Sequence, residues 1–524
     1  MITRFAPDGA VAAANHLAAS AGVAILERGG NAVDAAVACA AAMAVTSPHM
    51  CGLGGDMFAL VSIDGQLPVA LNASGRAGSG ADPSRLRAER HTSIPFQGDV
   101  RAVTIPGAVD GLVALQARFG RLSLAESLAP AQRLALDGFP VSPTLAEASE
   151  SLAPQTRLTA FGEAAPLVRG RRLRVPGVAR ALEEIRSGGR SAFYEGAAGE
   201  QLRSVGGDLF SEEDLSSPQA EWVEPLSLGA LGRQLWTIPP NSSGYLTLTG
   251  AWIADQVGIP EDPEDELWAF LLVEAARQAA HDRAEVLHES ADGAALLAPE
   301  RLAPRAAAIR QRATRGLADA YREGGTTYLC TVDGDRCGVS LIMSNAADFG
   351  SQLVLPGLGI FLHNRGMGFS LEDGHPAELG PRRRPPHTLS PLLVTREGGA
   401  LEAVMGTMGA DAQPQILLQL LARTFVTGQL PGDALGAARW YLRRDEPTGF
   451  GLWSSADTEP PIVALEHDAP GSWEDGLQAR GYRVERALPG DQSFGHAQMI
   501  SVTVDDLLCG AADPRSEDGA CIGR

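Results

Sequence analysis

The chain has 524 residues, 45% hydrophobic and 20% charged, enough to bury a large core without disulfides or metals. Its formal net charge is −20, which argues against a nucleic-acid partner and against docking on anionic lipid, since both need a basic surface. The N-terminal stretch lacks a basic segment followed by an apolar run, and no segment has about 18 uninterrupted apolar residues, so the expectation is a cytoplasmic protein without membrane contact.

Taken in order, residues 10–28 carry apolar side chains at helical spacing, and Gly29-Gly30 stop them. Asn31 suits the N-cap of a second helix. The run Cys51-Gly-Leu-Gly-Gly-Asp56 reads as a glycine turn before an apolar strand over 57–62; it lacks the Lys-Ser/Thr of a phosphate loop. Pro106-Gly107 opens another helix, and helical patterns continue to about residue 160 and again over 264–287. Residues 301–322 are rich in Arg and Ala with little apolar face, which fits a surface helix or a linker. Gly324-Gly325 follow as a flexible joint.

Beyond this point the period becomes two. Segments 328–332 and 339–343 bracket Asp333-Gly334-Asp335, a hairpin signal. Segments 353–355 and 360–362 bracket Pro356-Gly357, and 392–395 and 401–405 bracket Glu397-Gly398-Gly399. Helices first and antiparallel strands after them predict an α+β fold of stacked sheets covered by helices. The six cysteines fit no zinc spacing; they read as reduced thiols, although Cys330 and Cys337 flank the first hairpin and could face each other. No histidine or acidic cluster supports a metal.

The segment that carries chemistry is Gly324-Gly325-Thr326-Thr327-Tyr328. Taken alone, two glycines make a turn and two threonines favour a strand. In the context of the whole chain it resembles the self-cleavage point of the gamma-glutamyltransferase family. Leu26-Glu-Arg-Gly-Gly-Asn-Ala-Val-Asp-Ala-Ala-Val37, Gly52-Leu-Gly-Gly55 and Ile105-Pro-Gly-Ala-Val-Asp-Gly111 match further family segments upstream. Gly357-Leu-Gly-Ile-Phe-Leu-His-Asn364, Leu389-Ser-Pro391 and Ala512-Asp-Pro-Arg515 match downstream. The segments around Arg76, Arg365 and His496 resemble the glutamyltransferase-like branch, with its cephalosporin-acylase-like and oxamate-amidohydrolase-like members.

The resemblance implies a four-layer αββα N-terminal-nucleophile hydrolase without a cofactor. It implies cleavage between Gly325 and Thr326 into a large segment, 1–325, and a small one, 326–524, which stay associated. Thr326 is then the nucleophile, and its new α-amine, titrating near pH 7.7–8.0 when unperturbed, is the base for its own hydroxyl. Ser344 falls at the family's second hydroxyl. Gly409 and Ala410 fall on the paired amides of the oxyanion hole, and Arg76 falls near the arginine that grips a substrate carboxylate.

Where the sequence departs from the family, the glutamyl pocket is what changes. Gly368 stands where the family has the aspartate that holds an α-amine. Arg365 replaces a neighbouring polar residue, His387 and Thr388 replace two serines, and Ala346 replaces an asparagine; a one-residue slip in the count would put Asn345 there instead. Residues 369–384 are short for the family's lid, which implies a more open site and favours hydrolysis over transfer. An ammonium would lose its partner and meet a cation, so free glutamate-type donors are expected to be poor. Arg76 and Arg365 suit a small-molecule amide whose acyl group carries a carboxylate and no amine, such as an oxalyl or glutaryl group. The same scaffold is open to a second use, hydrolysis of a carbon–carbon bond beside a carbonyl, and to a third, an uncleaved protein that only binds.

Overall fold

A computed structural model describes residues 2–309, 325–443 and 462–524. Two seven-stranded antiparallel sheets lie at its centre. Sheet I runs in the order Ala520–Gly523, Gly9–Ala13, Thr327–Asp333, Gly338–Ser344, Asp56–Ser62, Val69–Ala73, Glu221–Val223. Sheet II runs Arg4–Ala6, Leu508–Ala512, Ala497–Val502, Leu401–Thr407, Leu392–Thr395, Arg233–Thr237, Leu226–Ala230.

The alternation of side chains along each strand builds the layers. Phe58, Leu60, Tyr328 and Ile342 point from sheet I into a shared core with Leu393, Val404 and Ile500 of sheet II. The residues between them, such as Ala59, Leu329 and Leu341, turn the other way and meet helices His16–Glu27 and Ala32–Thr46. On the far side, Leu392, Ala403, Met405 and Met499 of sheet II pack on helices Tyr245–Val257, Glu266–Ala280 and Gln413–Phe425. The result is an α+β sandwich of four layers, helix, sheet, sheet, helix, with both sheets covered. Because sheet I is covered on both faces, all seven residues of Thr327–Asp333 are buried, and helix Ala32–Thr46 is buried at every position.

Asn31 caps that helix as expected: its side chain accepts from the Val33 and Asp34 amides, and Asp34 returns a bond to the Asn31 amide. Residues 10–28 differ from the sequence reading. They are a strand, Gly9–Ala13, and then a helix, His16–Glu27, with Asn15 as N-cap accepting from Leu17 and Ala18. Alanine and valine hold either conformation weakly, and pairing with Thr327–Asp333 on one side and Ala520–Gly523 on the other decides for strand. The helix Pro176–Tyr194 has no counterpart in the sequence reading; Gly188 and Gly189 interrupt its apolar pattern, and Gly189 breaks it at φ 61°.

The three hairpins form where the period-two segments place them. Cys330 and Cys337 do not face each other: Cys330 pairs with Ser340, while Cys337 sits in the turn and gives its carbonyl to the Asp333 amide. All six cysteines are free. The helix Pro299–Ala308 covers the start of the Arg/Ala-rich segment; residues 310–322 of it lie outside the described residues. No described helix is long and apolar enough to cross a membrane.

Candidate active site

Strand register brings the two hydroxyls together. The turn after Thr327–Asp333 is tied by Asp333, whose carboxylate accepts from the amides of Asp335 and Cys337, and from Ala32. With that turn fixed, Thr327 pairs with Met343, so Thr326 stands opposite Ser344 at the open end of the hairpin. Their oxygens are 3.0 Å apart and both residues are buried.

The proton order along this contact follows from counting donors. Ser344 Oγ is 2.8 Å from the Gly325 carbonyl, which can only accept, so the single Ser344 proton points there. The bond between the hydroxyls therefore runs from Thr326 to Ser344. Thr326 hands its hydrogen to Ser344, and Ser344 hands its own to the carbonyl that precedes Thr326. The Ala346 amide fills the second acceptor site of Ser344 at 2.8 Å, and Arg365 Nη2 stands beside the same oxygen at the longer distance of 3.3 Å. Ala346 holds φ at 76° to deliver that amide, a strained conformation for a residue with a side chain. Asn345 faces away, bonding the carbonyl of Pro48 through Nδ2. A side chain at Gly325 would start 2.8 Å from Asp348 Oδ1 and 2.9 Å from the His49 carbonyl, so only glycine fits before Thr326. With the chain continuous through this point, Thr326, Ser344 and Arg365 are each 1% exposed. That is a closed site, unlike the open one expected from the short 369–384 segment.

Arg365 opens a short turn, Arg365–Gly368, and reaches Thr388 Oγ1 with its other arm at 3.3 Å. Burial pushes its guanidinium down to about 10, against the pull of Asp56 and Asp411. A side chain at Gly368 would start 2.6 Å from the Pro386 carbonyl, so the backbone itself excludes a carboxylate at that position.

Behind Arg365 lies a buried charge group that the sequence reading missed. Asp56 begins the strand Asp56–Ser62, opposite Ser344 in the register, and is fully buried. Its Oδ1 accepts from the Gly75 amide at 2.9 Å, and its Oδ2 is 3.2 Å from His387 Nε2 and 3.6 Å from His363 Nδ1. Burial opposes its ionisation, but His363, His387 and the Gly75 amide outweigh burial and hold the carboxyl at about 2. His387 takes the Leu389 amide on Nδ1 at 3.4 Å, so its Nε2 carries the hydrogen and donates to Asp56. Burial and the nearby Arg365 push it down to about 3, leaving it neutral. In sequence, Asp56 looked like the end of a glycine turn; its only local signal was an acid entering an otherwise apolar strand.

Gly409 and Ala410 have φ of 138° and 44°, and they lead into a turn at Ala410–Ala412 and the helix Gln413–Phe425. Neither amide donates to another described group, and the helix start adds its positive end there. The turn is tied towards the site by Gln413, which accepts the Ser390 amide at 3.1 Å, and by Asp411, whose charge acts on Arg365. Arg76 is grouped elsewhere: it faces Glu221 at 3.3 Å and Glu289 at 3.5 Å, is one-third exposed, and touches neither Ser344 nor Arg365.

A model of the gamma-glutamyltranspeptidase family matches residues 18–523. The chain belongs to that family. It is 34% identical to the glutathione hydrolase-like YwrD proenzyme of Bacillus subtilis, over 98% of each chain. It is also 34% identical to the oxamate amidohydrolase proenzyme of Klebsiella pneumoniae, again over 98% of each. The crystal structure of cephalosporin acylase from Bacillus halodurans superposes with a TM-score of 0.90 at 31% identity, covering 100% of this chain and 97% of that one. As a family member it is a hydrolase, with the αββα fold of its relatives.

The four buried histidines set its acid response, His363 being lowered by burial like the other three. Burial pushes His49 down to about 3, helped by His496; burial and Asp56's neighbour Arg365 push His387 to about 3; burial pushes His496 to about 4. Each sits at about 6.5 when unfolded, so between about 6.5 and those values the unfolded chain binds protons that the folded chain does not. Stability therefore falls as pH falls through this window. Asp56 acts later, its contribution present above about 3.8 and lost towards 2. Calorimetric melting is expected to show a midpoint that drops steadily from pH 7 to pH 4; a flat profile contradicts it.

Proposed function

We propose that the chain is a proenzyme that cuts its own Gly325–Thr326 bond and then, as a pair of interlocked segments, hydrolyses a small amide whose acyl group carries a carboxylate. The observation that carries this reading is the proton chain from Thr326 through Ser344 to the Gly325 carbonyl. It supports attack of Thr326 Oγ on the Gly325 carbonyl carbon: the nucleophile loses its proton towards Ser344 while the carbonyl oxygen is stabilised by the Ser344 hydrogen. The C–N bond then breaks, nitrogen takes a proton, and water cleaves the resulting ester. Segments 1–325 and 326–524 are expected to stay together, because Gly9–Ala13 lies hydrogen-bonded between Ala520–Gly523 and Thr327–Asp333.

Ser344→Ala removes the donor to the scissile carbonyl. Self-cleavage is expected to slow about 10²–10³-fold, the scale of losing one oxyanion donor, when the uncut fraction is followed on denaturing gels. Cleavage at the wild-type rate would remove Ser344 from the mechanism.

In the cut protein Thr326 gains an α-amine that serves as base for its hydroxyl. Thr326 Oγ attacks the amide carbon, its proton passes through the amine to the departing nitrogen, and water then hydrolyses the acyl-enzyme with the same amine as base. The unbonded Gly409 and Ala410 amides are the oxyanion donors in this reading. Arg365 is the anchor for the acyl carboxylate, since it lies against Ser344, whereas Arg76 is already held by Glu221 and Glu289. The exclusion of a side chain at Gly368 disfavours an α-amine, and an oxalyl or glutaryl amide fits the charges better than a glutamyl one. Six free cysteines fit a reducing, cytoplasmic setting.

The test is a comparison of kcat/KM for oxamate, a glutaryl amide and γ-glutamyl-p-nitroanilide on the self-cleaved protein. Preference for the amine-free acids supports the reading, and preference for the glutamyl donor overturns it.

A further inference from the structure

We propose that His363 is a specificity-determining residue that takes up one proton when a carboxylate-bearing acyl group binds against Arg365, and that Asp56 holds the resulting imidazolium. The inference rests on the anionic-acyl reading above and adds the means by which the buried site tolerates a second negative charge.

The geometry leaves one proton position open. His363 Nε2 is 2.8 Å from the Thr104 carbonyl, so that nitrogen carries a hydrogen in either charge state. The other nitrogen, Nδ1, is fully buried and has no hydrogen-bond partner. It stands 3.6 Å from Asp56 Oδ2. In the neutral ring a lone pair faces a carboxylate oxygen; with one added proton the same contact becomes an ion pair. His387 offers no such vacancy, because the Leu389 amide occupies its Nδ1 and Asp56 its Nε2.

The groups that face the His363 ring are Asp56 from sheet I, Arg365 from its own loop, His387 across Asp56, and the Thr104 carbonyl. Burial and the Arg365 charge keep the proton off, while Asp56 and Thr104 favour it. A substrate carboxylate on Arg365 cancels the opposing cation and adds an anion to a buried site. Both changes raise the proton affinity of His363. An ammonium beside that carboxylate, as in a glutamyl group, offsets both changes, so the same ring favours an oxalyl group over a glutamyl one.

If the His363 affinity for protons is higher in the complex, binding takes up a proton between the free and bound values, and ligand affinity falls as pH rises through that range, by up to about tenfold per unit. Isothermal titration calorimetry of the self-cleaved protein with oxalate and with glutarate, in buffers of different ionisation enthalpy, counts the protons. We expect uptake of about one proton by the wild type and none by His363→Gln, whose amide can still donate to Thr104. If that variant does not fold, Asp56→Asn serves, and it too is expected to lose the uptake. Binding without uptake, or uptake that persists in the variant, overturns the inference and leaves the anionic-acyl reading standing. Failure of both anions to bind overturns that reading itself.

Discussion

Thr326→Ala is expected to stay a single chain and to lose at least about 10⁴-fold in turnover, the scale on which removing a catalytic nucleophile acts. The loss is double. Without Oγ nothing attacks the Gly325 carbonyl, so the α-amine is never freed; and without Oγ no acyl-enzyme can form. Thr326→Ser separates the two effects. It keeps the hydroxyl that bonds Ser344 at 3.0 Å but loses the methyl that limits its rotation, so it is expected to cut slowly and, once cut, to turn over at a measurable fraction of the wild-type rate. Gels and single-turnover kinetics on the two variants check this. An alanine variant that is cut or active would move the nucleophile elsewhere.

Arg365→Gln is expected to have the second largest effect, and a selective one. The guanidinium is buried, with one arm on Ser344 and the other on Thr388. Removing one member of a buried charge pair costs on the order of 2–5 kcal/mol, so kcat/KM for a carboxylate-bearing amide should fall about 10²–10³-fold, mainly through KM, because the contact is present in ground and transition states alike. An uncharged amide of the same size should lose far less. Self-cleavage should persist, since the Thr326–Ser344–Gly325 contacts do not need the arginine. Arg365→Lys keeps the charge but not the planar fork and should recover part of the loss. Equal losses on charged and uncharged amides would assign Arg365 a structural role only.

Much of the fold was legible because its signals are local. The Asp333-Gly334-Asp335 turn between two period-two segments gives the central hairpin, and the hairpin's register alone sets Thr326 opposite Ser344. Asn31 and Pro106-Gly107 announce their helices in the same way. The strand Gly9–Ala13 was not legible, because five small residues take their conformation from neighbours more than 300 residues away. The charge group was hidden for the same reason. Asp56 and His387 meet across 331 positions, and no spacing within either segment foretells the contact. Arg76 shows the converse: its motif suggested a substrate contact, while Glu221 and Glu289, distant in sequence, occupy its guanidinium. Position counting placed Arg365 in the acyl pocket but gave no hint that it touches Ser344 or that Asp56 and His363 stand behind it.

The most direct measurement is the intact mass of freshly purified wild-type protein, with N-terminal sequencing of any fragment. Self-cleavage before Thr326 requires two polypeptides that co-purify, residues 1–325 and 326–524, the second beginning at Thr326. A single chain that stays uncut through prolonged incubation, or a cut at any other bond, would contradict it.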